Sequence, residues 1–156
     1  MEELVRAKRR ALYLLADMDR TEKELYDKLK KTGYSEETVS AAMEYVKSFG
    51  YIDDARYARV YIESYRNKKS RMKMTYDMAA KGVDREVIED AFLEYPEYDE
   101  TELIRHLAEK KLRGASPAQP EVYQKTAAYL ARRGFASGDI VKVLKSLELR
   151  GEDPLI

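Results

Sequence analysis

The sequence predicts an all-α protein built as an elongated tandem array of three three-helix repeats. Apolar residues recur three and four positions apart almost throughout, and the alternation of a half-buried strand is absent. Three stretches, Lys31-Thr32-Gly33-Tyr34, Ala80-Lys81-Gly82-Val83 and Arg132-Arg133-Gly134-Phe135, align on one glycine, at separations of 49 and 52 residues. The apolar register around that glycine agrees as well. Leu29, Met78 and Leu130 lie four residues before it; Val39, Ile88 and Ile140 six after; Met43, Phe92 and Leu144 ten after. Units that bury an apolar face against their neighbours form quasi-one-dimensional scaffolds, which mostly bind rather than catalyse.

The repeats are expected over 1–52, 53–96 and 97–150, followed by a fraying tail at 151–156. In the first, Leu4 to Ala16 reads as a helix with Leu12 and Leu15 among its apolar positions. Thr21-Glu22-Lys23-Glu24 has capping-box spacing and opens a second helix carrying Leu25 and Leu29. Gly33 closes it, because glycine tolerates the left-handed conformation that commonly ends a helix, and Tyr34 folds back beyond the cap. Ser35 caps the third helix, with Glu36 and Glu37 at its positive end, and the helix ends near Gly50.

The second repeat opens on the N-capping pair Asp53-Asp54 and its first helix reaches Tyr65. Its second helix covers about Met72 to Lys81, and Asp84 caps a third that stops before Pro96. Asp99-Glu100-Thr101-Glu102 starts the third repeat, and Pro117 and Pro120 interrupt it. Helices near Glu121 to Arg133 and Asp139 to Leu149 complete a count of nine.

Composition narrows the function classes. The chain has 156 residues, with 29 basic and 29 acidic side chains, so bulk charge alone does not hold it to nucleic acid. It has no cysteine, which removes disulfides and thiolate metal sites. No apolar run approaches the roughly 18 residues of a membrane span, and the expectation is a soluble, cytoplasmic monomer. His106 is the only histidine, and the three glycine turns follow helices rather than strands, so neither a histidine-based catalytic set nor a phosphate loop is assembled. Asp53-Asp54 reads as a cap rather than a metal site. No enzyme activity, metal or cofactor is expected.

The charges are nevertheless segregated. Arg66, Lys68, Lys69, Arg71 and Lys73 fall within eight residues that hold no acid, and Arg56 and Arg59 precede them on one helix face interrupted by Glu63. Residues 89–102 hold seven acids and no base. Each charge alone fits a solvated helix face. Five cations packed into one turn repel one another unless they meet an anionic surface, either phosphates or an acidic protein patch. Weaker basic groups, Arg6, Lys8, Arg9, Arg10 and Lys110, Lys111, Arg113, read as solvated. The thirteen tyrosines suit half-buried positions with a wet hydroxyl. Tyr61 and Tyr65 are expected in the packing rather than stacked on bases.

Arg10-Ala11-Leu12-Tyr13-Leu14-Leu15, Glu24-Leu25, the Leu29 to Tyr34 turn and Phe49-Gly50-Tyr51-Ile52-Asp53-Asp54-Ala55-Arg56-Tyr57-Ala58 resemble the RecX regulatory proteins. The likeness is specific over residues 10–92 and looser over the third repeat. Met74 and Met78 stand where Leu or Ile is expected, and Asn67-Lys68-Lys69-Ser70 lacks an expected glycine. The resemblance implies a curved helical array that binds the recombinase RecA and its filaments on single-stranded DNA. It further implies inhibition of ATP hydrolysis, of strand exchange and of the co-protease activity behind the SOS response, a setting in DNA repair and recombination. Direct binding of single-stranded and of double-stranded DNA is also implied. Arg56, Arg59, Arg66, Lys68, Lys69, Arg71 and Lys73 are the candidate contacts to recombinase or DNA phosphate. Two other readings stay open: a helix-turn-helix-like DNA-binding protein acting without recombinase, and a passive helical adaptor. Against the former, the helix from Ser35 to Ser48 has one base, Lys47, and three acids.

Overall fold

The computed structural model describes residues 2–95 and 99–151. Among the described residues the chain is helical throughout, with no strand. The helices are α1 (Glu2–Asp17), α2 (Glu22–Thr32), α3 (Glu36–Ser48), α4 (Asp54–Tyr65), α5 (Arg71–Ala80), α6 (Arg85–Leu93), α7 (Glu100–Leu112), α8 (Pro120–Arg132) and α9 (Ser137–Gly151). They follow the three helix triplets read from the sequence. Glu97 of the acidic run, the stop at Pro96 and the tail beyond residue 151 lie outside the described residues. By compactness the chain divides into two units, Met1–Glu63 with Thr75–Tyr95, and Ser64–Met74 with Pro96–Ile156.

In the first unit α1 packs chiefly on α3, and α2 lies against both. All nine residues of the glycine-centred register, three of them in this triplet, are at most 8% exposed. The apolar stripe of α1 differs from the expected one. Ala7, Ala11 and Leu14 face the core, whereas Leu12 is 36% exposed and Leu15 only partly buried. Ala7, Ala11 and Leu14 are spaced four and three apart and so share one helix face, while Leu12 lies about 100° round the helix from Ala11 and is left off it. In the second unit α7 packs on α9, with α8 against both, over Ile104, Leu107, Ala108, Leu130, Phe135, Ile140, Val143 and Leu144.

Helix ends follow their side chains. Thr21 and Glu24 complete the reciprocal capping box, and Ser35 Oγ accepts the Thr38 N–H at 3.2 Å. Asp53 accepts the Arg56 N–H at 3.1 Å, and Asp99 that of Thr101 at 2.9 Å. Asp84 departs from expectation: it stands at the N-cap of α6 but its side chain makes no cap bond.

Thr21 does more than cap. Its hydroxyl accepts the Glu24 N–H and donates to the Lys81 carbonyl at 2.6 Å, sixty residues away. Beside it the Glu22 N–H, the first of α2, donates to Asp54 Oδ1 at 2.9 Å. The start of α2 in repeat one is thereby held by the end of α5 and the start of α4 in repeat two. The second unit repeats the arrangement. Ser70 Oγ accepts the Lys73 N–H at 2.9 Å and donates to the Gly134 carbonyl at 2.7 Å. Ser70 N–H donates to Arg133 O, and the Arg71 N–H, the first of α5, to Glu100 Oε1 at 3.1 Å. Thr21 and Ser70 are 0% and 1% exposed, so both hydroxyls use donor and acceptor capacity away from water.

The glycines make these approaches possible. Gly82 and Gly134 have φ of +93° and +89°, and each closes its helix in a Schellman pattern, with Val83 N–H on Met78 O and Phe135 N–H on Leu130 O. A Cβ at Gly82 would overlap the Lys23 side chain; one at Gly134 would overlap Lys73 and the Ser70 hydroxyl. Gly33 has the same backbone, φ +99°, but open space where its Cβ would be.

Asp54 carries a cost in this role. Burial first, then the charges of Glu22, Asp84 and Asp53, raise its carboxyl above the ordinary 3.8, despite the bond from Glu22 N–H. A carboxylate with a raised folded-state value weakens the fold as pH climbs through that value, and contributes nothing once protonated in both states.

Two measurements test these assignments. In urea unfolding, Gly82→Ala loses about 2–4 kcal/mol, from left-handed strain and overlap together, whereas Gly33→Ala loses only the strain of about 1–2 kcal/mol. Equal losses refute the close approach at Gly82. Asp54→Asn keeps the acceptor without the charge, so its midpoint exceeds that of the parent at pH 7 and the gap closes below pH 3.8. A gap constant with pH refutes the role given to the charge.

Candidate functional site

The seven basic residues singled out from the sequence do not form one site within either unit. Arg56 and Arg59 stand on α4 in the first unit. Arg56 is exposed and its Nη1 donates to the Gly50 carbonyl at 3.2 Å, while Arg59 Nε lies 3.9 Å from Glu94 Oε2. Arg66, Lys68, Lys69, Arg71 and Lys73 belong to the second unit. Arg71 and Lys73 are half-buried because they start α5 at the repeat junction, where the Lys73 stem covers Gly134. Lys68 and Lys69 come together over one ring: their Nζ atoms lie 5.9 and 4.2 Å from the Tyr65 centroid.

The structure adds residues to this group. Arg133 Nη1 donates to the Lys68 carbonyl at 3.0 Å, and its guanidinium lies 4.4 Å from the Tyr129 centroid. Lys111 Nζ sits 5.2 Å from the same ring. Lys111, Tyr129, Arg133, Lys68, Lys69 and Tyr65 thus form a linked basic and aromatic surface on the second unit. Tyr129 and Arg133 are four residues apart, with Arg133 directly before the third glycine, a spacing that marks a shared helix face. What the sequence lacked was the bond from Arg133 to Lys68, sixty-five positions apart.

The first unit carries a second aromatic group. Phe49 and Tyr51 are 58% and 48% exposed and stacked, with centroids 5.5 Å apart and an interplanar angle of 17°. Tyr45 meets Phe49 edge-on at 5.1 Å, and Lys8 Nζ lies 4.6 Å from the Tyr45 centroid. Arg56, tied to Gly50, stands beside this loop. Exposed flat rings bordered by cations can stack planar groups and attract phosphates.

Of the tyrosines expected in the packing, Tyr61 is buried and donates its hydroxyl to Asp77 Oδ2 at 2.7 Å, and Tyr65 is half-buried. Tyr76 is 68% exposed. His106 is exposed on α7. Among the described residues no three His, Cys, Asp or Glu side chains converge as metal ligands. Among the described residues no helix is long and apolar enough to cross a membrane.

Comparison with known proteins gives this architecture a family. Three family models match in tandem: the first three-helix domain of RecX over residues 7–45, the second over 53–91 and the third over 97–144. The regulatory protein RecX of Caldanaerobacter subterraneus subsp. tengcongensis is 36% identical over 144 residues, covering 91% of this chain and 71% of that one. That of Clostridium acetobutylicum is 30% identical over 146 residues, 90% and 68% of the two chains. The crystal structure of RecX from Lactobacillus salivarius superposes with a TM-score of 0.74 at 26% identity, covering 95% of this chain and 98% of that one. The chain belongs to the RecX family of regulatory proteins.

Proposed function

We propose that this chain is a non-enzymatic regulator that binds RecA filaments on single-stranded DNA and inhibits their ATPase, strand exchange and SOS co-protease activity. The observation that carries this reading is the tandem match of all three RecX domains, over residues 7–144, to relatives named as regulatory proteins. The charge pattern supports it. A nucleoprotein polymer offers phosphates and repeated protein surface side by side. The surface around Lys68, Lys69, Arg133 and Lys111 suits the former, with Tyr65 and Tyr129 as flat apolar partners. Contacts of modest strength made by several repeats to one polymer add through effective concentration. Cytoplasmic residence follows from such a target.

A plain helix-turn-helix reader of duplex DNA fits less well. Lys47, the only base of α3, is bonded to Glu22 at 2.9 Å, and that bond holds its ammonium charged. No cation of α3 is left for a groove.

Replacing Lys68, Lys69 and Lys111 together by Glu is expected to abolish inhibition of RecA's DNA-dependent ATPase at concentrations where the parent inhibits fully, with an unchanged far-UV CD spectrum. Inhibition equal to that of the parent removes this surface from the account; a parent that leaves the ATPase untouched at saturation removes the reading itself. Binding to filaments should fall by at least tenfold between 50 and 200 mM salt if about three or more phosphates are neutralised, and a flat response contradicts phosphate contact.

A further inference from the structure

Each repeat junction has two halves. The donor half is the start of a second helix: a Thr or Ser N-cap hydroxyl and the first helical N–H, from Thr21 and Glu22 or from Ser70 and Arg71. The receptor half belongs to the following repeat. It is a glycine turn offering a carbonyl, Lys81 O or Gly134 O, and a carboxylate at the start of a first helix, Asp54 or Glu100. Asp54 lies four residues before the buried Ala58, and Glu100 four before the buried Ile104.

Repeat one carries a receptor half of its own. Glu3 lies four residues before the buried Ala7, and Gly33 has the left-handed backbone of Gly82 and Gly134. Glu3 reaches the start of α3, accepting Ser35 N–H at 3.3 Å and Thr38 Oγ1–H at 2.6 Å and lying 3.2 Å from Ser35 Oγ, whereas Asp54 feels only the like charge of Asp84 at the start of α6. Here, however, nothing among the described residues occupies the space over Gly33. Among the described residues there is also no third donor half. The second helix of repeat three begins Gln119-Pro120, where Gln119 makes no side-chain cap bond and proline has no N–H. The Thr21 and Ser70 ends are already engaged within the chain itself.

We infer that the Gly33 turn with Glu3 is a docking socket for the N-terminus of a helix on a partner protein, one with Ser or Thr at its N-cap and a free first N–H. The complementarity is electrostatic and geometric. The carbonyls at the end of α2 and the carboxylate of Glu3 meet the positive end of a helix dipole, in space that glycine leaves clear. Lys30 and Lys31 in the last turn of α2 favour an acid in the partner's first turn, giving a Ser/Thr-x-x-Glu start like that of α2 itself. The inference goes beyond the recombinase reading and does not depend on it.

The probe is a synthetic peptide copying residues 21–32, locked as a helix by a lactam between Asp27 and Lys31 because twelve residues alone are marginally helical. It is titrated into the isotope-labelled protein and followed by NMR. Saturable shifts are expected at Gly33, Tyr34 and Glu3, and the peptide with Thr21→Val should bind about fivefold more weakly, as loss of an N-cap hydroxyl dictates. In the protein, Gly33→Asn keeps the left-handed turn but fills the socket, so those shifts should vanish while the melting curve holds. No saturable shift at Gly33, shifts centred on Gly82 instead, or equal binding of both peptides overturns the inference. Should Gly33→Asn unfold the protein, the comparison of the two peptides decides alone.

Discussion

Two buried hydroxyls hold the repeats in register. Thr21 and Ser70 each serve a local and a distant partner at once: they take an N–H from their own helix and give their proton to a carbonyl sixty or more residues on. Such a group tolerates little displacement, because either lost bond leaves a polar atom unpaired in a dry contact, at about 1–3 kcal/mol. Apolar packing alone fixes less; a helix sliding by one turn often buries comparable area. The hydroxyl, the first helical N–H and the facing glycine together admit one arrangement.

That constraint determines which charges are structural and which are available. Asp54 and Glu100 look like ordinary helix-start acids, yet each accepts an N–H from the neighbouring repeat. Arg71 and Lys73, inside the basic run, are positioned by the same contact. Lys68 and Lys111 are exposed and lie over tyrosine rings linked through Arg133. A chain with no net charge thereby keeps a local basic surface on the second unit.

Much of the fold was legible because it is periodic. A glycine recurring with apolar residues at fixed offsets marks helix ends and inward faces together, and all nine such residues are buried. The capping box at Thr21 was legible for the same reason: its two partners lie three residues apart. Periodicity failed to single out the inward leucine of α1, where Ala7, Ala11 and Leu14, four and three apart, set the inner face and Leu12 lies off it. It also failed where a polar group has a second partner far along the chain. Nothing near Thr21 indicates Lys81, and nothing near Lys68 indicates Arg133. Of the candidate surface, the sequence singled out the cations of the α4–α5 turn, read Lys111 as merely solvated and passed over Tyr129 and Arg133, which the tertiary fold joins to them.

A double-mutant cycle between Ser70 and Gly134 tests whether the hydroxyl and the glycine act as one device. Ser70→Ala, Gly134→Ala and the double variant are unfolded in urea and compared with the parent. If Gly134→Ala already displaces the serine, removing the hydroxyl afterwards costs little, and the two changes couple by more than about 1 kcal/mol. Losses that add to within about 0.5 kcal/mol would show the two positions to be independent and contradict this account of how the repeats are joined.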